Sequence, residues 1–162
     1  MALRDLLRAH TPHLTVVGDT PLEQQRDGYV LTTDRGRIPV DQALALLHTT
    51  FWAGDMLRDT LERAMENAVC VAVLADGRLV AFARAITDLA TYAYVCDVVV
   101  HPDHGNRGLA QWMMRALLTH PQLQGFRRFA LITTTAKALY EKFGFTDSTG
   151  STYMELKPGP RS

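Results

Sequence analysis

A glycine-containing loop carries the residues of this chain best suited to hold a phosphate. A valine run at 98–100 leads into a loop with Gly105 and Gly108, and a helical pattern begins at Leu109. Such a loop can turn several backbone N–H groups toward a ligand at the positive end of a helix dipole. Gly108 would let the ligand approach the backbone closely, and Arg107 could add a charge-assisted contact to a phosphate oxygen. The segment therefore predicts an anion site at a helix start.

Two common phosphate-binding patterns do not fit this loop. The Walker pattern needs Gly-Lys-Ser/Thr, which is absent, and the dinucleotide pattern needs three spaced glycines and a later carboxylate. Gly105 and Gly108 alone could also be ordinary turn residues. A pyrophosphate ligand of another kind is favoured, and a nucleotide module stays as a disfavoured hypothesis that binding of ATP or NAD would revive.

Two motifs resemble one enzyme family. The strand that ends at Val100, Pro102 and the loop 107–110 resemble the CoA-binding motif of the GNAT-type N-acetyltransferases. Residues 136–145, a helix with Tyr140 before a Gly-Phe pair, are similar to that family's second signature. Both motifs in the right order are more specific than either alone, and the resemblance covers residues 29–157. The segment His48 to Ala53 is also similar to one bacterial branch of these enzymes.

The resemblance implies a cofactor and residues to hold it. The cofactor is acetyl-CoA, the acetyl donor. Backbone groups of Val98, Val99 and Val100 would meet its pantetheine arm in β-like hydrogen bonds, and Tyr140 would lie beside the thioester sulfur. The residues expected to complete the cofactor site are Gly105, Asn106, Arg107, Gly108, Leu109, Ala110, Gln111 and Thr133. Two of them depart from the family pattern: Gly105 replaces a Gln or Arg, and Thr133 replaces a frequent asparagine.

Acetyl transfer from a thioester to an amine needs an unprotonated amine, a stabilised carbonyl oxygen and a protonated leaving thiolate. A strand amide near Val99 could donate to the developing oxyanion. Tyr140 could protonate the sulfur, since a phenol has a pKa of about 10 and a thiol about 8.5. The amine attacks directly, so no enzyme nucleophile is required.

Several groups are candidates for the general base. The predicted strand 126–133 has no carboxylate. Asp97 is the remaining catalytic candidate, and the alternative is a structural carboxylate that bonds neighbouring backbone. His101 and His104 could act through water, or could simply be surface loop residues. For the acceptor, Trp52 and Tyr94 are the candidate substrate-binding residues, although aromatic residues at such spacings also occur in ordinary cores.

These groups need a scaffold, which the hydrophobic pattern predicts. Helical periodicity begins at Pro39 and, after a break at Gly54, resumes at Met56 with Asp55 as a plausible cap. An Asp76-Gly77 hairpin joins two strands. The expected strands are 29–33, 69–74, 79–86, 91–100, 126–133 and 153–156, and the later helices are 109–118 and 135–143. This order predicts an α/β (α+β) fold with a mixed, mostly antiparallel central sheet flanked by helices. The family resemblance adds splayed strands at the cofactor site.

Length and charge limit the classes of protein. The 162 residues predict one domain, with an N-terminal extension at 1–28, which holds a short amphipathic stretch, and an acetyltransferase domain at 29–162. Lys+Arg 17 balances Asp+Glu 17, so the chain lacks the global positive field of a nucleic-acid binder.

The apolar pattern and the cysteines argue for a cytoplasmic protein. The longest apolar run, Ala68–Ala75, has 8 residues, and a membrane-spanning helix needs roughly 18. Charges interrupt the place where a signal peptide would need an apolar core. Cys70 and Cys96 lie in apolar runs and are expected as reduced core thiols, with no metal site. No membrane or nucleic-acid partner is expected.

The leading functional hypothesis is an acetyl-CoA-dependent N-acetyltransferase that acts on a small-molecule or peptide amine. The alternative is a non-catalytic acyl-CoA-binding sensor or scaffold module. A monomer or a homodimer is compatible with the sequence, the homodimer through the last predicted strand.

Overall fold

Within residues 20–158, a six-stranded sheet is flanked by four α-helices. The computed structural model describes residues 20–158. In chain order the elements are β1 (Glu23–Arg26), β2 (Tyr29–Thr32), α1 (Val40–Leu47), α2 (Arg58–Glu66), β3 (Ala68–Ala75), β4 (Arg78–Thr87), β5 (Tyr92–Val100), α3 (Leu109–Leu118), β6 (Arg128–Ala130) and α4 (Lys137–Glu141). The predicted mixed α/β fold is confirmed.

The strands lie in the sheet in chain order, from β1 to β6. Each neighbouring pair is antiparallel except the last, because α3 carries the chain across the sheet between β5 and β6 and so makes them parallel. The predicted Asp76-Gly77 hairpin joins β3 to β4. Both residues have positive φ, 48° and 75°, as a two-residue turn matched to strand twist requires.

Each face of the sheet is covered by its own helices. One core contains Trp112, Met113 and Leu117 of α3 together with Tyr140 of α4. The opposite core contains the buried stripes of α1 and α2, for example Leu47 and Leu61. Because both faces are covered, β3 and β4 are buried along most of their length, as their nearly continuous apolar sequences predict. No helix within residues 20–158 is long and apolar enough to span a membrane.

Strands β5 and β6 part after only three paired positions. The pairing runs from Tyr92 with Arg128 to Tyr94 with Ala130, whereas β5 continues to Val100. The second half of β5 therefore has a free edge on this side. This confirms the expected splay.

A bulge in β5 lies at the start of this free edge. The register with β4 shifts by one residue, because Phe82 faces Val99 and Arg84 faces Cys96. Asp97 falls within the shift and has a left-handed backbone, φ 56°, as the first residue of a bulge can have. The bulge places the Asp97 carboxylate beside Arg84 of the neighbouring strand.

The N-terminal part of the sheet differs from the sequence expectation. β1 lies within the segment predicted as an N-terminal extension, and it pairs with β2 through an Asp27-Gly28 turn whose φ angles are 50° and 81°. All four residues of β1 are exposed and polar, so no apolar alternation marked the strand. The amphipathic stretch predicted at residues 3–7 lies outside the described residues.

Other element boundaries were also wrong. The predicted strand 153–156 is not a strand, since Tyr153, Met154 and Leu156 are exposed and unpaired in the sheet. β6 is shorter than 126–133, because the chain leaves β5 after Ala130. Asp55 does not cap α2, whose N-cap is Leu57.

Candidate active site

A cleft of about 330 Å³ opens where β5 and β6 part. One wall is the β5 segment 94–98, and the opposite wall is the loop 132–136 together with Tyr140 of α4. The rim carries four further side chains: Phe51, Trp52, Tyr153 and Glu155. The cleft is thus a direct consequence of the three-residue pairing of β6.

The cleft brings together part of the predicted site. The predicted residues that line it are Trp52, Tyr94, Asp97, Val98, Thr133 and Tyr140. The other predicted cofactor residues lie outside its lining. Val99 is turned into the opposite core, Val100 packs partly buried against the first core, and the predicted residues at 105–111 lie in the loop after β5 and the start of α3.

The free edge of β5 presents the N–H groups of Val98 and Val100. The His101 N–H donates to a carbonyl of β4 at 2.8 Å. Because N–H directions alternate along a strand, Val99 also donates toward β4, where Phe82 faces it. Val98 and Val100 therefore face the side from which β6 has parted. The sequence predicts an oxyanion donor near Val99, whereas the register favours Val98, which lines the cleft.

The loop before α3 holds a row of backbone donors. Asn106 and Gly108 have φ angles of 58° and 71°, and Gly108 caps α3 without a side-chain hydrogen bond. The first helical bond is donated by the Trp112 N–H to Gly108 O at 3.0 Å. The N–H groups of residues 106–111 have no acceptor within the described part of the chain. Backbone amides at a positive helix end in this way attract a phosphate.

The Arg107 side chain has a protein partner. Its Nη1 donates to Tyr29 Oη at 3.0 Å, and the same hydroxyl forms a hydrogen bond with His104 Nδ1 at 2.9 Å. These contacts tie the loop to β2. The groups of the loop that are free to meet an anion are therefore its backbone amides rather than this guanidinium.

A second arginine, which the sequence motifs do not indicate, lies at the same loop. Arg26 Nη2 donates to Arg107 O at 3.1 Å, and the guanidinium lies 4.5 Å from the centre of the Trp112 ring. Gln24, also on β1, accepts a hydrogen bond from Trp112 Nε1 at 2.7 Å. β1 thus fastens the loop and the first turn of α3. The Asp27-Gly28 turn signal could have revealed the strand.

Tyr140 has the burial and environment of a proton donor. Its side chain is 8% exposed and its ring contacts Phe145 edge-on at 6.1 Å. Burial raises the pKa of the Tyr140 phenol above its usual value, so the hydroxyl stays protonated at neutral pH. No residue within 20–158 forms a hydrogen bond with this hydroxyl, which leaves it available to a ligand in the cleft.

Asp97 is half of a buried ion pair. Arg84 Nε donates to Asp97 Oδ2 at 2.5 Å, and the two side chains are 13% and 6% exposed. Arg84 is its only hydrogen-bond donor in the described chain. As a structural carboxylate, Asp97 thus contacts a side chain of β4, Arg84, rather than neighbouring backbone as predicted. The carboxylate also lines the cleft, so both roles are compatible with its position.

The cysteine in the cleft is held as a thiol. Burial raises the pKa of Cys96 to about 12, and a neutral thiol is a poor nucleophile. Cys70, on the other side of Arg84 in the sheet, is similarly buried, with its pKa also raised to about 12. Neither is suited to carry an acetyl group.

The remaining cleft residues have defined contacts. Thr133 Oγ1 accepts from the Ala136 N–H at 3.0 Å, which leaves its own O–H free to donate. Trp52 and Phe51 pack edge-to-face at 5.0 Å. Glu155 was missed because 153–156 was expected to be a strand. His101 and His104 do not line the cleft.

A family comparison covers most of the chain. The model described as the Acetyltransferase (GNAT) family matches residues 40–145. A crystal structure of a candidate GNAT acetyltransferase from Xanthomonas campestris pv. campestris is 37% identical in sequence, with a TM-score of 0.77. That match covers 84% of this chain and 98% of the other.

Two further similarities are more distant. A protein of Gibberella zeae, named as a candidate acetyltransferase, is 29% identical over 145 residues, which is 75% of this chain and 81% of its own. A candidate acetyltransferase of Clostridium acetobutylicum, solved with acetyl-CoA, has a TM-score of 0.59 at 14% identity. That match covers 85% of this chain and 96% of the other, and at this identity the similarity concerns the fold.

Proposed function

This chain belongs to the GNAT acetyltransferase family, and from that premise we propose that it moves the acetyl group of acetyl-CoA to a primary amine of a small molecule or peptide. One observation carries the proposal. A protonated, buried Tyr140 and the free edge of β5 line one cleft, and the same strand leads into the row of amides at 106–111.

The residues present fit an acetyl-CoA donor. The free edge at Val98 and Val100 suits the amide groups of a pantetheine arm, because an extended chain can pair with an open strand edge. The amides of 106–111 at the start of α3 suit a pyrophosphate. Gly105 supplies no side chain where the family usually has Gln or Arg, so the loop depends on backbone donors, and Arg26 and Arg107 add positive charge beside it.

The bound thioester supplies an acetyl group attached to a good leaving group. The amine nitrogen forms the new bond to the carbonyl carbon while the carbon–sulfur bond breaks, and the products are an amide and free CoA thiol. The Val98 N–H is placed to donate to the carbonyl oxygen as negative charge develops. Tyr140 gives its proton to the departing sulfur, and its phenolate regains a proton from solvent, to which Asp97 in turn releases the proton that it takes from the amine.

The attack is direct in this proposal. Cys96 stays protonated and cannot serve as an acyl carrier, and transfer without a covalent enzyme intermediate needs no nucleophile. Asp97 takes the proton of the attacking amine, directly or through water, from its position on the cleft wall. A carboxylate already paired with Arg84 is kept in place for this role.

A thiol-release assay tests the function. The full chain is incubated with acetyl-CoA and a panel of polyamines, amino acids, aminoglycosides and peptide N-termini. We expect saturable release of CoA thiol with at least one amine, together with the acetylated product by mass. Saturable acetyl-CoA binding with no transfer to any amine would contradict catalysis and would favour the non-catalytic acyl-CoA-binding module.

A further inference from the structure

The side chains at the cleft rim point to a substrate class. Building on the proposed acetyl transfer, we infer that the acceptor is a small primary amine with an aromatic or apolar body and no anionic group beside the amine. The inference comes from the size, the aromatic content and the charge of the cleft.

Aromatic rings dominate the acceptor side of the cleft. Phe51 and Trp52, in the connection between α1 and α2, are 80% and 48% exposed, and their rings pack edge-to-face. Tyr94 and Tyr153 line the same cleft, with Ile132 beside them. Exposed apolar side chains gathered at a concave site mark a binding surface. Their faces suit an aromatic body and attract an ammonium group.

Among residues 20–158, the charged residues that line the cleft are the carboxylates Asp97 and Glu155, and none of the lining residues in that range is Lys, Arg or His. The cations paired with these two carboxylates are engaged by them, Arg84 with Asp97 at 2.5 Å and Lys157 with Glu155 at 3.2 Å. An acceptor carboxylate or phosphate would therefore enter without a partner and beside like charge, which is costly. A protonated amine, in contrast, is attracted by the carboxylates of the cleft.

The cleft volume limits the acceptor to a small molecule. At about 330 Å³ it lies at the lower end of ligand pockets, which span roughly 300–1,000 Å³. The reactive end of the donor shares this space. One aromatic ring with a short aminoalkyl chain is of suitable size, whereas a folded protein segment would reach the amine only as an extended terminus.

Matched amines test the acceptor class. Thiol release by the full chain is measured with tryptamine, L-tryptophan and L-tryptophan methyl ester, each at the same concentration of unprotonated amine. We expect kcat/KM for tryptamine to exceed that for tryptophan by about a hundredfold, because the added carboxylate finds no partner. The methyl ester keeps the bulk and removes the charge, and we expect it to remain within about tenfold of tryptamine.

Charge variants test the same inference from the protein side. Glu155→Lys places a cation at the rim of the cleft. It should lower the ratio of kcat/KM for tryptamine to kcat/KM for tryptophan by about tenfold. Glu66→Lys makes the same change of net charge on exposed α2, outside the cleft, and should leave the ratio unchanged.

The aromatic surface is tested by Trp52→Ala, which should raise KM for tryptamine and not for acetyl-CoA. The control Leu57→Ala, at another exposed apolar residue outside the cleft lining, should alter neither KM.

The outcomes separate this inference from the proposed function. Transfer to tryptophan as fast as to tryptamine, or an ester as poor as tryptophan, would overturn the anion exclusion. Faster transfer to spermidine or to a peptide with N-terminal tryptophan would overturn the small aromatic acceptor, and the acetyltransferase activity would stand. Transfer to no amine at all would overturn both.

Discussion

At the scale of single residues, burial determines the chemistry of Tyr140. The phenol is 8% exposed and burial raises its pKa, so it enters a reaction as an acid. Its ring also packs in the core beside Phe145. The packing and the proton transfer can therefore be separated by removing only the hydroxyl oxygen.

Tyr140→Phe should lower kcat by about a hundredfold or more, the usual contribution of a general acid, and leave the unfolding temperature nearly unchanged because the ring stays in place. Thiol release and thermal unfolding measure the two effects. Tyr92→Phe removes a hydroxyl outside the cleft lining and is the matched control. An active Tyr140→Phe enzyme would exclude the acid role.

The pH dependence of kcat follows from the same residue. The required form of Tyr140 is protonated, so it is present at low pH and lost as pH rises through its raised pKa. The ordinary phenol value is about 10, and burial moves it upward. We expect no decline of kcat that depends on Tyr140 below about pH 10. A decline near neutral pH that disappears in Tyr140→Phe would contradict this assignment.

Asp97 combines a buried ion pair with a place on the cleft wall. Asp97→Asn keeps the shape and tolerates the left-handed φ of 56°. If Asp97 is the base, kcat should fall at least about tenfold with little change in acetyl-CoA affinity. Arg84→Lys disturbs the pair and keeps the carboxylate, so it should lose stability and retain more of kcat. Unchanged kcat in Asp97→Asn would remove Asp97 from the mechanism.

At the scale of elements, β1 holds the loop before α3 in place. Gln24 and Arg26 hold Trp112 and the Arg107 carbonyl, and Glu23 pairs with Arg37 beyond β2. The backbone N–H groups of residues 106–111 are thus positioned by β1, which lies at the opposite edge of the sheet from β6. Loop geometry of this kind favours binding of the donor because less freedom is lost on association.

Arg26→Ala should raise KM for acetyl-CoA by about three- to tenfold, since a hydrogen bond to the loop and a cation–π contact are lost together. The value of kcat at saturating donor should stay close to wild type. Gln25→Ala, in the same strand and exposed, is the control. An unchanged KM would show that the loop keeps its geometry without β1.

At the scale of the whole molecule, unfolding exposes two thiols that the sheet keeps neutral. Cys70 and Cys96 lie on either side of Arg84 in adjacent strands, and burial raises the pKa of each to about 12. In the unfolded chain they ionise near 9, so the unfolded state binds fewer protons between these values. Stability is therefore fully present below about pH 9 and falls as pH rises toward 12.

Near pH 11 this linkage should remove roughly 2–3 kcal/mol for each thiol. The free energy of unfolding, measured by urea titration, should thus fall more steeply with pH in the wild type than in the Cys70→Ala, Cys96→Ala double variant. Other titrating groups act in both proteins and cancel in the comparison. Parallel curves would contradict the buried, neutral state of the thiols.

The elements that depend on neighbouring residues were predicted correctly from the sequence. The Asp76-Gly77 turn, the apolar stripe of Leu109–Leu118 and the glycine loop before it are each determined by neighbouring residues, and each lies where it was expected. The family resemblance contributed the splay between β5 and β6, which periodicity alone does not predict.

Contacts between residues far apart in the chain could not be predicted from local sequence patterns. β1 has no apolar alternation, and its place is set by contacts with Trp112 and Arg107 more than 80 positions away. The partner of Asp97 depends on a bulge that shifts register by one residue. The mostly apolar segment 153–156 was predicted as a strand but finds no partner in the sheet, so its composition alone misled the prediction.

The exposed, polar side chains of β1 also affect the tendency of the protein to aggregate at high concentration. The sheet ends on one side at Glu23–Arg26, where every side chain is charged or an amide, and on the other at β6, which has 3 residues. A charged strand and a very short one are poor templates for a further strand. Within residues 20–158, the sheet therefore resists growing from one molecule into the next, which protects the protein from edge-to-edge aggregation.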